Sequence, residues 1–306
     1  MDFKGTYLNG MIKEQIYMKQ PEGYDDGTGH ICHLIKSLYG LKQARCEWND
    51  ELNKQLKSLG WKPTPVDPCT YTRRTTGGIE VIAVWVDDLL LFASDTTLMS
   101  KMKLELKSIF EITDLGDPAK IIGIEIKRDH MKRTIMISQK QYIDTILQRE
   151  GLQNAHPVAI PMDPNVQLQP SEGESADKNN GYVSLIGSLM YLAVATRLDI
   201  AYAVFQLGSY MANPAMSHWT AAKQVLRYLS GTRDYGITYQ ASETKLEENH
   251  FLGYSDASYA NNDNATSISG YIFIMGGGTI TWGSKKQTSV SLSSTESKYV
   301  ALADAA

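Results

Sequence analysis

Apolar positions in this chain follow two periods, and each switch between them marks an element boundary. Residues 34–60, "LIKSLYGLKQARCEWNDELNKQLKSLG", predict a helix closed by Gly60, with Pro63 and Pro65 beyond it. "CTYTRRTTGGIEVIAVWV" (69–86) predicts two strands around Gly77–Gly78. The apolar run resumes after Asp87 and Asp88 and continues through Phe92, as in a strand, a tight turn carrying both carboxylates, and a second strand. In "DTTLMSKMKLELKSIF" (95–110), Leu98, Met102, Leu106 and Ile109 share one helical face. "IIGIEIKRDHMKRTIMIS" (121–138) predicts a second hairpin, and "KQYIDTILQREG" (140–151) a short helix closed by Gly151. Residues 153–181 hold four prolines and little periodicity, which predicts a linker or long loop. From Tyr182 to Tyr239 the pattern is largely helical, broken at Asn213–Pro214. Three antiparallel strands are expected in 251–287, with Gly276–Gly278 forming a tight connection, and 291–306 reads as a helix.

The two adjacent carboxylates inside "VIAVWVDDLLLFAS" (81–94) change this picture from architecture to chemistry. Burying one unpaired carboxylate costs several kcal/mol, and two neighbours also repel. Either they project from an exposed turn, which Asp favours, or something strongly positive holds them. With another Asp near a strand end they form an oxygen-rich site suited to Mg²⁺, and Asp2 is a candidate.

Composition narrows the classes. At 306 residues and 34.1 kDa, with 42% apolar and 21% charged residues, the chain can hold two or three domains with cores. A net charge of −4 excludes binding nucleic acid through bulk charge alone. Local basic clusters, "KMKLELK" (101–107), "KRDHMKR" (127–133) and "SKK" (284–286), are most simply solvated surface. No apolar run spans a bilayer and no secretion signal opens the sequence, so a cytoplasmic or nuclear protein, not secreted and without a membrane partner, is expected. Three scattered cysteines, Cys32, Cys46 and Cys69, agree with a reducing compartment. "HICH" (30–33) lacks a second ligand pair at a usable spacing for zinc, and "NAT" (264–266) is a formal glycosylation sequon. "GTITWGSKK" lacks a Lys directly after its second Gly and is more simply a strand leaving a turn than a phosphate loop.

In order along the chain, "DFKGTYLNG", "SLYGLKQARCEW", "VWVDDLLLFAS", "IIGIEIKRD", "GSLMYLAVATRLDIAYAV", "LRYLSGT", "GYSDASYA", "ITWGSKKQ" and "LSSTESKY" resemble the copia-type retrotransposon Pol polyprotein, its reverse transcriptase followed by its ribonuclease H. The resemblance runs from residue 2 to residue 306. It implies an α+β fold: an incomplete polymerase palm with thumb and connection helices, then a partial ribonuclease H-like fold of three antiparallel strands and a helix. The implied division is palm in 1–115, primer-grip hairpin and thumb-like helix in 116–152, linker in 153–181, helical connection in 182–240 and the start of ribonuclease H in 249–306.

The resemblance assigns Asp2, Asp87 and Asp88 to the palm's catalytic metal ligands, where two Mg²⁺ (or Mn²⁺) ions per intact site serve nucleotidyl transfer. Trp85 replaces the motif's usual aromatic Tyr. Tyr7 would exclude a ribose 2′-hydroxyl, Gly40 would open the segment beneath the templating pair, and Gly123 would permit close backbone approach at the primer. Asp256 and Glu296 match the first two metal-binding catalytic carboxylates of ribonuclease H, whereas Asp304 matches neither of the later ones. Implied partners are an RNA template, a DNA primer, an RNA/DNA hybrid, deoxynucleoside triphosphates and other parts of the Pol polyprotein. Each residue also has a plainer role: Asp2 as an exposed residue, Tyr7 as core, Glu296 as a helix-start carboxylate.

Three departures from the family pattern shape the expectation. The fingers would precede Asp2 and the later ribonuclease H carboxylates would follow Ala306, so neither set lies in this sequence. Arg45 and Cys46 stand where relatives commonly have Pro then Arg, and Leu198 replaces a common Pro. The chain is therefore expected to be a polymerase fragment with weak or no polymerase activity and no ribonuclease H activity. The alternative is a non-catalytic, nucleic-acid-binding relic of a transposable element.

Overall fold

The computed structural model of the chain describes residues 1–163, 166, 168–170, 181–241, 251–260 and 265–306. Parts of the expected linker (164, 165, 167 and 171–180), Asn264 of the sequon, and residues 249–250 at the start of the last segment lie outside the described residues. The fold is α+β in both of its compact units, Met1–Pro118 and Ala119–Ala306.

In the first unit the elements are β1 (Asp2–Phe3), β2 (Tyr17–Lys19), β3 (Ile31–His33), α1 (Ala44–Ser58), β4 (Lys62–Pro63), β5 (Thr70–Thr75), β6 (Gly78–Trp85), β7 (Asp88–Ala93), α2 (Thr96–Ile109) and β8 (Ile112–Thr113). Six strands form one sheet in the order β4-β5-β6-β7-β1-β8, so the first strand inserts between β7 and β8. Trp48, Leu52 and Leu56 of α1 and Met102 and Leu106 of α2 pack with Phe3, Tyr71, Ile82 and Leu89 into one buried core. The predicted helix over 34–60 is shorter than expected, beginning only at Ala44. Residues ahead of it are used differently: Ile31–His33 pair with Tyr17–Lys19, and Leu34 N–H donates to the Ile16 carbonyl at 2.9 Å. Gly60 ends the helix as expected, with φ of +85° that a side chain would oppose. Helix α2 begins at Asp95, whose side chain accepts from Leu98 N–H at 2.8 Å.

In the second unit, β9 (Lys120–Ile121), β10 (Ile124–Asp129), β11 (Thr134–Ser138) and β12 (Gly236–Gln240) form a sheet in the order β12-β11-β10-β9. Helices α3 (Lys140–Arg149), α4 (Gly181–Ala195), α5 (Ala201–Gly208) and α6 (Met216–Gly231) bury Ile143, Leu185, Leu189, Val204, Val225 and Leu226 together. The helical expectation for 182–240 is corrected at its end, because Gly236–Gln240 is a strand paired with Thr134–Ser138. That stretch, "GITYQ", is β-branched and aromatic-rich and too short to show a period. The last strands, β13 (Leu252–Ser258), β14 (Ile268–Met275) and β15 (Gly278–Lys286), form an antiparallel sheet, followed by α7 (Ser294–Ala305). Gly276 and Gly277, both at positive φ, make the two-residue turn between Met275 and Gly278. Trp282 donates its indole N–H to the Ala193 carbonyl at 2.8 Å, tying β15 to α4.

Candidate active site

Strand alternation sends Phe3 inward and leaves Asp2 on the opposite face. Phe3 is 3% exposed and meets Trp48 and Phe110 edge-on, at 4.8 and 5.2 Å between ring centres. Aromatic packing thus fixes β1, and β1 fixes Asp2. On its β7 side, Asp2 stands directly across from Asp88. Directly opposed residues carry their side chains on one face of a sheet, with β-carbons about 5 Å apart. Two residues 86 positions apart in sequence are thereby brought side by side.

Asp87 occupies the turn rather than a strand. Trp85 pairs with Asp88, leaving Val86 and Asp87 as a two-residue connection between β6 and β7. Val86 has φ of +56°, a left-handed conformation that a β-branched side chain opposes. The turn is held on both sides: Trp48 Nε1–H donates to the Val86 carbonyl at 3.1 Å, and Phe3 N–H donates to the Asp87 carbonyl at 2.9 Å. The expected turn carrying both carboxylates is thus one residue earlier, and Asp88 already belongs to the strand.

Electrostatics mark the three as a group. Burial first, then the Asp87 and Asp2 charges, hold the Asp88 carboxyl above the usual carboxylate range, with the Met1 amine opposing. None of the described Lys or Arg side chains forms an ion pair with Asp2, Asp87 or Asp88. An all-oxygen donor set whose negative charge is opposed by the Met1 amine alone fits a hard divalent cation. Among the described residues no three His, Cys, Asp or Glu side chains close into a metal cage, so Asp2 and Asp88 share one face of neighbouring interior strands, with Asp87 in the adjoining turn, without enclosing a point.

The other assigned residues surround different features. Tyr7 lies in a short 3₁₀ turn, Thr6–Asn9, and is half-buried, with its ring edge-on to Tyr39 at 4.9 Å. Gly40 is exposed, at φ of +96°, with open space where a side chain would be. Gly123 and Ile122, both at positive φ, form the turn between β9 and β10, and Tyr191 donates its hydroxyl to the Ile122 carbonyl. A β-carbon added at Gly123 would lie 3.2 Å from the Tyr191 hydroxyl oxygen.

In the last segment Asp256 and Glu296 have different polar partners. Glu296 Oε2 accepts the Leu292 N–H at 2.6 Å, while Ser293 Oγ accepts the Glu296 N–H at 3.1 Å. These are helix-start contacts of the capping type. Asp256 instead pairs with Lys298, whose Nζ is 3.3 Å from Asp256 Oδ1. The Asp256 carboxyl is held below its ordinary value by the Ala257 N–H and then by Lys298. Sequence reading missed Lys298, because its position two residues after Glu296 gives no sign of a partner 42 residues upstream. Asp304 accepts from Ser269 Oγ at 2.7 Å and pairs with Lys285 Nζ at 3.0 Å, so it fastens α7 to the sheet.

Similarity to known proteins gives the family. Residues 1–164 match the family model described as reverse transcriptase (RNA-dependent DNA polymerase). The chain belongs to the reverse transcriptase family, and within it to the retrovirus-related Pol polyproteins of copia-type transposons. It is 38% identical over 311 residues to the Pol polyprotein of transposon TNT 1-94 from Nicotiana tabacum, covering 98% of this chain and 23% of that protein. It is 36% identical over 307 residues to that of transposon RE2 from Arabidopsis thaliana, covering 99% of this chain and 21% of the relative. The Arabidopsis RE1 Pol polyprotein is likewise 36% identical, with 20% of its length covered. The chain therefore spans roughly a fifth of these curated relatives. No helix among the described residues is long and apolar enough to cross a membrane.

Proposed function

We propose that this chain is a piece of a retrotransposon RNA-directed DNA polymerase, with its first unit as palm and Asp2, Asp87 and Asp88 as the residues that hold divalent cations. The register that sets Asp2 opposite Asp88, with Asp87 in the adjoining turn, is the observation that carries this reading. When bound, two Mg²⁺ or Mn²⁺ ions would supply an acidified primer 3′-hydroxyl and charge neutralisation of the triphosphate and pyrophosphate. The chain's own residues supply the framework. Phe3 and Trp48 fix the strand that carries Asp2. Tyr7, braced by Tyr39, offers an aromatic edge beside that strand for selecting a deoxyribose. Gly40 leaves open space beneath a template base, and the Gly123 turn, backed by Tyr191, would face the primer. An RNA template, a DNA primer and deoxynucleoside triphosphates are the partners in this reading. α3 serves as a thumb-like helix and the helices from Gly181 onward as the connection.

Residues 252–305 carry the ribonuclease H-like reading, on three antiparallel strands followed by a helix. Lys298 pairs with Asp256 and Glu296 caps its own helix, so no hydrolytic step is assigned to them.

Positioning of the triphosphate supplies much of the barrier reduction, so extension measures whether this chain's own residues provide it. The test is primer extension on an RNA template with Mg²⁺ or Mn²⁺. Slow extension that vanishes in Asp87→Asn supports the assignment, and extension undiminished by Asp87→Asn overturns it. A non-catalytic nucleic-acid-binding role is the second reading, favoured by the lack of a closed metal cage among the described residues. It predicts salt-sensitive duplex binding that survives substitution of Asp2, Asp87 and Asp88, with no extension at all.

A further inference from the structure

Helix α7 turns two small residues, Ser297 and Ala301, into the protein, both 0% exposed. Glu296 and Lys298 therefore flank Ser297 on opposite sides of the helix, because positions two apart in an α-helix do not share a face. The structure distinguishes their fates. The Glu296 carboxylate turns back along the chain to the Leu292 N–H, and Lys298 extends to Asp256.

We infer that Lys298 is the resident counter-cation of Asp256, and that the ribonuclease H-like segment of this chain consequently gathers no divalent cation. The inference rests on reading Asp256 as the segment's candidate metal carboxylate, and on nothing in the first unit. A hard dication in water needs several oxygen ligands, and one exposed carboxylate does not retain it. Lys298 of α7 brings an ammonium to 3.3 Å from the Asp256 carboxylate, so the charge of that pair sums to about zero, where two carboxylates would give about −2. The pair itself is weak: its side chains are 62% and 75% exposed, and such pairs contribute little to stability. Its consequence is for recognition, since it reverses the sign of the field an approaching cation meets.

The geometry makes the inference testable by one substitution. Lys298→Glu would place two carboxylates at this point, and Glu296 would keep its capping role. Mn²⁺ binding to the full chain is measured by electron paramagnetic resonance, with Asp2→Asn, Asp87→Asn and Asp88→Asn all present so that the first unit contributes no ligand. In that background the chain with Lys298 is expected to show no uptake that depends on Asp256. Lys298→Glu is expected to gain one Mn²⁺ per chain where the chain with Lys298 gains none, and Asp256→Asn added to it should abolish the gain. Lys298→Met, which removes the cation without adding a ligand, should gain far less. Two results overturn the inference: Asp256-dependent Mn²⁺ uptake with Lys298 in place, or a folded Lys298→Glu chain, with its circular dichroism unchanged, that takes up no additional Mn²⁺. The palm assignment is read separately, by Mn²⁺ uptake in Asp256→Asn with the first-unit carboxylates restored, so either reading can fail without the other.

Discussion

The indole N–H of Trp48 reaches the carbonyl of Val86, 3.1 Å away, and pins the one turn in the first unit that a valine should resist. Val86 holds φ of +56°, and holding a β-branched residue there costs roughly 1–3 kcal/mol. Glycine removes that cost and loses about 0.5–1 kcal/mol through its freer unfolded state. Val86→Gly is therefore expected to raise stability by about 1 kcal/mol, read as a higher urea midpoint. Trp48→Phe keeps the aromatic packing but loses the donor, and should lower it by about 1 kcal/mol. A lower midpoint for Val86→Gly would show that the turn carries no strain.

Asp88 should separate stability from metal binding. Its carboxyl is partly buried beside two like charges, so Asp88→Asn is expected to stabilise the metal-free protein by up to about 1 kcal/mol. The same change should remove most of the thermal shift that Mg²⁺ or Mn²⁺ produces. Thermal unfolding with and without 10-fold steps of the cation reads both effects. Loss of stability together with an intact cation shift would contradict the placement.

Arg197 is the largest fully buried charged side chain among the described residues of the second unit, at 1% exposed. It pairs with Asp199 at 2.7 Å and donates to the carbonyl and hydroxyl of Thr232 at 3.0 and 2.7 Å. Tyr228 donates to the same Asp199, and its own hydroxyl is pushed up to about 12 by burial and by that carboxylate. Removing one partner strands the others, so Arg197→Ala should cost roughly 3–5 kcal/mol in chemical denaturation. A cost under about 1 kcal/mol would mean that Asp199 finds water instead.

His218 should make the second unit sensitive to mild acid. It is fully buried, stacks on Tyr210 at 4.1 Å between ring centres, and accepts the Ala215 N–H through Nδ1 at 2.7 Å. That acceptance requires the neutral ring, and burial holds the imidazole below its ordinary value of 6.5. The unfolded chain takes up the proton first, so stability is full above about pH 6.5 and falls as pH drops toward the folded value. Urea midpoints at pH 7.5 and 5.5 should differ more in the wild type than in His218→Gln. An equal difference would assign the sensitivity elsewhere.

Local chemistry made much of the molecule readable in advance. Gly60 and Gly276–Gly277 announced a helix end and a hairpin turn because few other residues accept positive φ cheaply. Leu98, Met102 and Leu106 announced α2 through helical spacing, and Met102 and Leu106 are indeed fully buried. The start of α1 was misjudged, since apolar Leu34, Ile35 and Leu38 suit a helix equally well until β2 claims the residues just ahead of them. Gly236–Gln240 was missed as a strand because five residues cannot display a period, and its partner lies about a hundred positions earlier.

By itself the sequence determined which residue types were available, where the chain could turn, and which motifs run in order from Asp2 to Glu296. These are local properties, set by backbone sterics and by the spacing of apolar side chains. Which carboxylate meets which group was decided only by tertiary structure. Strand insertion set Asp2 against Asp88, and helix docking set Lys298 against Asp256. Charge interactions act over a few ångströms of space, and only the folded chain converts 86 or 42 residues of sequence into such a distance.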